Sequence, residues 1–450
     1  MSERVKIIGG GLAGPEAAWQ CARRGVPVTL YEMRPLRRTP AHETDRFAEL
    51  VCSNSLKSDS ENTAPWLLKE EMRRAGSLLM KIAGQTAVPA GHALAVDREE
   101  FARKVTEAIE GEPLIEVRRE EVTALNPAEM TIIASGPLTS DALAAEIARL
   151  SGSERLFFYD SISPIVEADS IDQSKVYMAA RYGKGTADYI NCPMTEAEYT
   201  RFMEALLEAQ AADRHEWEKV NYFEGCLPIE EIARRGRDTL RFGPMKPVGL
   251  RDPRTGKQAY AVVQLRQENL RADSYNLVGF QNHLKFPEQA RIFRMIPGLE
   301  NARFLRYGQI HRNTYINAPV LLTESLQMKQ HPNLLFAGQI SGVEGYVESI
   351  ATGLLAGLSA AALAHGGQPV GPPRATAFAS LTHYICHAEA KNFQPANITF
   401  DLLQPLDEAT RRRIRDKKLR HKMVCEHALE ALEQWLTGLR TTAQIASESD

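Results

Sequence analysis

An α/β architecture built on a parallel sheet, interrupted by a smaller inserted α/β domain, is what this 450-residue sequence predicts. Three observations carry the prediction. A strand, a glycine-rich turn, a helix and a second strand follow one another within the first 32 residues. A second strand–glycine loop–helix passage lies near residue 340, and the stretch between them has a different texture. The expected organisation is a Rossmann-type nucleotide-binding domain in two segments, 1–150 and 300–450, with residues 151–299 inserted as a substrate-facing domain.

The elements follow in chain order. Val5-Lys6-Ile7-Ile8 reads as a short buried strand that runs into Gly9-Gly10-Gly11-Leu12-Ala13-Gly14. Pro15–Arg24 reads as a helix stopped at Gly25, and Val28–Tyr31 as the next strand, ending in Glu32. A glycine string alone is weak evidence, but here each part has a task. Gly9 permits the tight turn, Gly11 lets backbone approach a pyrophosphate, and Gly14 lets helix and strand pack closely. The helix N-terminus faces the phosphates and Glu32 bonds the ribose hydroxyls. Pro15 is tolerated in the first turn, where its missing N–H costs no helical bond.

Leu94–Phe101 marks a helix start, and Thr131–Pro137 reads as a third strand of the same sheet. The region 151–299 holds strand-like runs at Tyr159–Val166, Ala259–Leu265 and Tyr275–Gly279, with an amphipathic helix near Glu196–Ala212. Leu334–Tyr346 then gives a strand and a loop containing Gly338, Gln339, Gly345 and Tyr346, followed by a helix over Val347–Ala364. Glutathione-reductase-like flavoproteins bring such a late segment back so that its loop meets the pyrophosphate and the isoalloxazine. Many carry Asp where this chain has Gln339. The implied cofactor is therefore FAD, bound by Gly9, Gly10, Gly11, Leu12, Ala13, Gly14, Glu32, Gly338, Gln339, Gly345 and Tyr346. FMN lacks the ribose that Glu32 would bond. One complete fingerprint and no CxxC pair argue against a disulfide reductase.

Composition bounds the partners. Lys and Arg number 54 against 57 Asp and Glu, a net charge of −3, so any RNA partner must meet a local basic patch. The most basic run spans 411–422 and reads as a solvated helix face or, alternatively, a phosphate-contacting patch. Six scattered cysteines fit free thiols in a reducing compartment, and a cytoplasmic location is expected. No signal sequence or membrane span is read, and Gly353–Ala364 is expected to be a buried helix.

Cys226 precedes Pro228, which reads as the first position of a short helix ending before Gly236, and a helix N-terminus there favours a thiolate through the dipole. Glu224 and Glu230 would oppose this if they point inward. The bland reading is a small buried residue, as it is for Cys52 in Glu49–Lys57. Cys21 reads as core packing and Cys192 as loop packing. His383, Cys386 and His387 share one helical face; with no recognisable fourth ligand, no metal site is expected, although binding stays an alternative.

The chain resembles, over essentially its full length, the TrmFO family of folate- and FAD-dependent tRNA uracil-5-methyltransferases. The matching stretches are Gly9–Gly14, Phe47–Ser55, Ala93–Arg98, Asp188–Met194, Phe242–Gly249, His311–Tyr315 and Gly342–Ser349. The Cys52-Ser53-Asn54-Ser55 and Asn191-Cys192-Pro193-Met194 segments are more specific than the fingerprint, and separate the chain from the larger GidA wobble-modification relatives. Pro15 and the polar tail after Gln394 depart from the pattern without touching the chemistry.

The resemblance implies methylation of C5 of the T-loop uridine of tRNA. Methylenetetrahydrofolate is the one-carbon donor, reduced FAD the carrier and reductant, and NADH or NADPH the electron source. It implies Cys226 as nucleophile at uracil C6, Cys52 as acid/base, and Asn54 among the cofactor-binding residues. No membrane and no obligate protein partner are implied. The alternatives are the same chemistry on ribosomal RNA, a small-molecule FAD oxidoreductase, and an RNA-binding protein like the wobble-modification relatives, whose C-terminal helical extension this chain looks too short to hold.

Overall fold

The computed structural model describes residues 3–152, 156–183, 185–211 and 227–448. Its central sheet has five parallel strands in the order Leu334–Phe336, Thr131–Ile133, Val5–Ile8, Val28–Tyr31 and Ile115–Arg118. The register sets Ile7 beside Leu30 on one side and Ile132 on the other, with Leu335 beside Ile132. The four inner and late strands are buried nearly throughout, as a sheet covered on both faces requires, while the edge strand Ile115–Arg118 alternates apolar with charged residues. The late strand thus returns to the sheet one position away from Val5–Ile8, with Thr131–Ile133 between them.

Helices Ala13–Ala22 and Tyr346–Ala364 pack against each other beside this sheet, and small residues make their close approach possible. A Cβ on Gly353 would collide with the Ala13 carbonyl, and one on Gly357 would stand 2.7 Å from the Ala17 oxygen. Tyr346–Ala364 is long and apolar enough to cross a bilayer, but 78% of its most apolar window is buried inside the fold. It is a core helix. The Lys417–Glu448 helix packs on Ala64–Arg74 and buries Cys425, Ala428, Leu432, Trp435 and Leu436, a stripe at helical spacing.

A second, antiparallel sheet of six strands lies within residues 165–306, in the order Tyr177–Met178, Ile190–Met194, Ala261–Gln267, Ser274–Leu277, Ile165–Glu167 and Phe304–Arg306. It has its own hydrophobic core, drawn from Val166 to Ala302 and including Phe202, Phe280 and Phe293. Helix Glu196–Glu208 covers it, started by a capping box between Thr195 and Glu198. A two-stranded antiparallel ribbon, Leu156–Ser161 with Ile310–Tyr315, links the parts where the chain crosses out and back. The run expected at Tyr159–Val166 is therefore two strands, one in this ribbon and one in the second sheet. Cys192, expected in a loop, lies fully buried within Ile190–Met194 opposite Val263. The Pro193 beside it suggested loop, yet strand pairing at its neighbours persists.

Candidate active site

The fingerprint forms one wall of a cavity enclosing about 1070 Å³, open mouth included. Gly9, Gly10, Gly11, Leu12, Ala13 and Glu32 line it, and so do Cys52, Gly338, Gln339 and Tyr346. Gly9 has φ +114°, a backbone state that side chains disfavour. Gly14 sits behind the wall, where a Cβ would collide with the Gly9 carbonyl. Beside Gly11 there is open space where a Cβ would stand. The N-terminus of helix Ala13–Ala22 carries no side-chain cap, so its amide groups suit a phosphate.

Glu32 is buried on the same wall. Its carboxylate accepts from the Gly10 N–H at 2.8 Å, the Arg34 N–H at 2.9 Å and the Arg34 guanidinium at 2.9 Å. Burial pushes its pKa up, but the bonds and charge of Arg34 and the Gly10 amide outweigh that and hold the carboxyl below its ordinary value. Arg34 also reaches Glu49 at 3.2 Å. The wall is thus a fixed anionic corner beside a helix N-terminus, a fit for the adenosine half of FAD.

The loop carrying Cys52 is tied to that wall and then clamped. Ala48 N–H donates to the Gly10 carbonyl at 2.9 Å, and Phe47 is fully buried against Gly10. Arg98 Nη1 donates to the Leu50 carbonyl at 2.8 Å and the Val51 carbonyl at 3.3 Å, while Arg306 Nη1 donates to Val51 at 2.9 Å. From the other side, the Tyr346 hydroxyl oxygen accepts from the amides of Cys52 at 2.7 Å and Ser53 at 3.3 Å. The peptide unit before Cys52 is therefore gripped at both its carbonyl and its N–H.

Cys52 is partly exposed, whereas Cys21, Cys192, Cys386 and Cys425 are buried. Burial pushes the Cys21, Cys386 and Cys425 thiols up to about 12, which leaves them inert near neutrality. The guanidinium groups of Arg98 and Arg306 both hold the peptide that precedes Cys52. Burial and the neighbouring Cys52 push the Tyr346 phenol well above its ordinary value, so it stays neutral.

Asn54 is absent from the cavity wall. It is fully buried where the Cys52 loop meets the second sheet: its side-chain amide donates to the Val96 carbonyl at 3.1 Å and the Gln267 carbonyl at 2.9 Å, and Arg266 donates to its oxygen at 2.9 Å. Its place is that of a brace between the Cys52 loop and the second sheet. Gly345 too stands off the wall, at φ +105° as the residue before helix Tyr346–Ala364, packed near Glu348 and Lys57. Gln339 lines the cavity and donates to Glu344 at 2.6 Å.

Cys226 and Glu224 lie outside the described residues. The helix after them spans Ile229–Arg234 with Pro228 at its cap, one residue later than the spacing suggested. Glu230 points inward, fully buried, and pairs with His283. The basic run divides between helix Glu408–Arg413 and the start of Lys417–Glu448, with Arg411, Arg412, Arg413, Arg415, Lys417 and Lys418 exposed. The residues that sequence reasoning missed are Arg34, Arg98, Arg266, Arg306 and Glu268, whose carboxylate pairs with Arg98 at 2.7 Å. Arg98 was visible beside the Asp97 cap, but its partners lie far away in sequence.

Comparison with known proteins sets this geometry among relatives. A family profile described as "Glucose inhibited division protein A" matches residues 4–368. The chain is 73% identical to "Methylenetetrahydrofolate--tRNA-(uracil-5-)-methyltransferase TrmFO" of Koribacter versatilis, over 99% of this chain and 100% of that one. Identity to the protein of the same name from Solibacter usitatus is 66%, over 97% and 99%. Among solved structures, GidA of Aquifex aeolicus superposes with a TM-score of 0.71 at 16% identity, over 100% of this chain and 78% of that one. That likeness shows the shared fold.

Proposed function

The chain belongs to the TrmFO family of methylenetetrahydrofolate–tRNA-(uracil-5-)-methyltransferases, and from that premise we propose how its residues carry out the reaction. The activity is transfer of a one-carbon unit from methylenetetrahydrofolate to C5 of a T-loop uridine in tRNA. Bound FAD supplies the carriage of the one-carbon unit and the reducing equivalents that make it a methyl group, with NADH or NADPH in the cytoplasm as the electron source.

The cradle from Gly9 to Gly14 holds the pyrophosphate on the N-terminus of helix Ala13–Ala22, and Glu32 bonds the adenosine ribose. Uracil C5 is a poor nucleophile until something adds to C6. The Cys226 thiolate adds to C6, which places electron density on C5. After the one-carbon unit is transferred, Cys52 takes the C5 proton, and Cys226 leaves C6 as the pyrimidine double bond re-forms. The target base has to be turned out of its stack to reach the cavity. The exposed run at 411–422 contacts tRNA phosphates.

The observation that carries this reading is the placement of Cys52. It is a partly exposed cysteine on the cavity wall, on a loop whose preceding peptide is clamped by Arg98, Arg306 and Tyr346, and a proton-transfer group needs such a fixed position within reach of the substrate. The test separates the two cysteines. Cys226→Ala should keep FAD yet give neither a covalent enzyme–RNA species nor 5-methyluridine. Cys52→Ala should accumulate a covalent RNA adduct without turnover. Normal methylation by the Cys226→Ala protein would overturn the assignment.

A further inference from the structure

Helix Ala377–His387 carries two histidines one turn apart near its C-terminal end, His383 and His387. Their ring centroids lie 4.4 Å from each other. Nδ1 of His383 and Nε2 of His387 both sit 2.9 Å from a single atom, Oε1 of Glu324. Glu324 belongs to the turn that follows Leu322 and is closed by the bridge from Leu322 to Met328. Different ring nitrogens of the two histidines are thus brought to one point by a carboxylate 59 residues away in sequence from His383.

Two neutral imidazoles can each direct an N–H at one carboxylate oxygen, and a hydrogen-bonded trio is the simpler use of this arrangement. The same donor set is also a metal ligand set. The three ligand atoms lie within 4.8 Å of one another, and among the described residues no other trio of His, Cys, Asp or Glu is brought together in this way. Zinc takes imidazole nitrogen and carboxylate oxygen at about 2.0–2.2 Å, which in a tetrahedral site sets ligand atoms roughly 3–3.5 Å apart. The two imidazole–carboxylate separations reach that spacing from 2.9 Å by shifts of a few tenths of an ångström, and the two imidazole nitrogens lie within 4.8 Å of each other, on side chains that are 42%, 57% and 51% exposed.

Cys386 shares the helix but not the site: it is buried, and its Sγ donates to the Thr323 carbonyl at 3.2 Å. The fourth position is then open to water.

We propose that Glu324, His383 and His387 form a site for a divalent cation of the zinc class. Imidazole donors select zinc, copper, nickel or cobalt over magnesium and calcium, which prefer all-oxygen ligation. The bound ion would join the end of helix Ala377–His387 to the 322–328 turn, and neither lies on the wall of the FAD cavity. The site is therefore a structural clip rather than part of the methyl-transfer chemistry.

The experiment uses the full chain with FAD bound and zinc sulfate as the probe. Equilibrium dialysis with metal analysis should find one zinc per chain that magnesium does not displace. Zinc should also raise the thermal unfolding midpoint, because it binds the folded state preferentially. His383→Ala, His387→Ala and Glu324→Gln should each lower zinc affinity about tenfold or more and abolish the thermal shift. Cobalt added to the wild-type chain should give visible bands of a tetrahedral ion, a readout that does not depend on the variants folding. Zinc uptake that survives His383→Ala and His387→Ala would overturn the proposal, as would the absence of both stoichiometric zinc and the cobalt bands.

Discussion

Tyr346→Phe removes one oxygen and keeps the ring that lines the cavity. That oxygen is the acceptor for the Cys52 amide at 2.7 Å and, more weakly, for the Ser53 amide at 3.3 Å. Leaving a buried N–H without its acceptor costs about 1–3 kcal/mol. Arg98 and Arg306 still hold the Val51 carbonyl, so the loop stays in place on one side and loses its hold on the other. If that cost falls on the position of Cys52 in the transition state, the methylation rate drops about 5- to 150-fold, at about 1.4 kcal/mol per decade. The assay is the initial rate of 5-methyluridine formation at saturating folate, with the flavin absorbance per chain and the amide exchange of residues 50–54 read on the same preparation. FAD content should stay near that of the wild type, the exchange of the Cys52 amide should rise, and the loss should appear in kcat. A rate within twofold of wild type, with Cys52 exchange unchanged, would refute the idea that Tyr346 positions the loop.

Other substitutions test other parts of the structure. Glu32→Gln leaves one acceptor oxygen where the structure uses two and weakens the pairing of buried Arg34, so FAD affinity should fall at least tenfold and the urea midpoint should drop by an amount worth about 2–4 kcal/mol, read by flavin release and unfolding curves. Gly353→Ala drives a methyl group into the Ala13 carbonyl and should cost about 1–3 kcal/mol by denaturation, together with loss of FAD because Ala13 borders the phosphate cradle. Glu71 is fully buried, and burial raises its carboxyl to about 8 despite bonds from the Ala377 and Phe378 amides. The folded state therefore keeps a proton that the unfolded chain has lost, and stability is fully present below pH ~4.5 and falls as pH rises toward 8. Unfolding curves at pH 5.5 and 8 should show that loss, on the order of several kcal/mol, and show less of it in Glu71→Gln; equal slopes would contradict the raised carboxyl.

The parts of the molecule that depend on local pattern were legible in the sequence. Apolar runs and glycine spacing are enough to place Val5–Ile8, Val28–Tyr31 and Leu334–Phe336, because a covered parallel strand and a phosphate turn each demand particular residues in succession. What escaped depends on residues far apart in sequence. The grip on the Cys52 loop comes from Arg98, Arg306 and Tyr346, and its brace from Arg266, and nothing local in those residues announces a shared partner. Asn54 shows the same effect in reverse: the family resemblance implied a cofactor ligand, while in the fold its side chain bonds the Val96 and Gln267 carbonyls away from the cavity wall. Glu324 completes the histidine pair from a turn that carries no metal-binding pattern of its own.

In the proposed reaction the carbon added to tRNA comes from methylenetetrahydrofolate on an FAD-bound enzyme. The most direct measurement supplies the purified chain with FAD, NADPH, unmodified tRNA transcript and methylenetetrahydrofolate labelled with carbon-13 in the methylene group, and maps the RNA by mass spectrometry. One labelled 5-methyluridine is expected, in the T-loop. An unmodified tRNA with active, FAD-loaded protein would contradict it, as would a label that appears only in ribosomal RNA supplied in parallel.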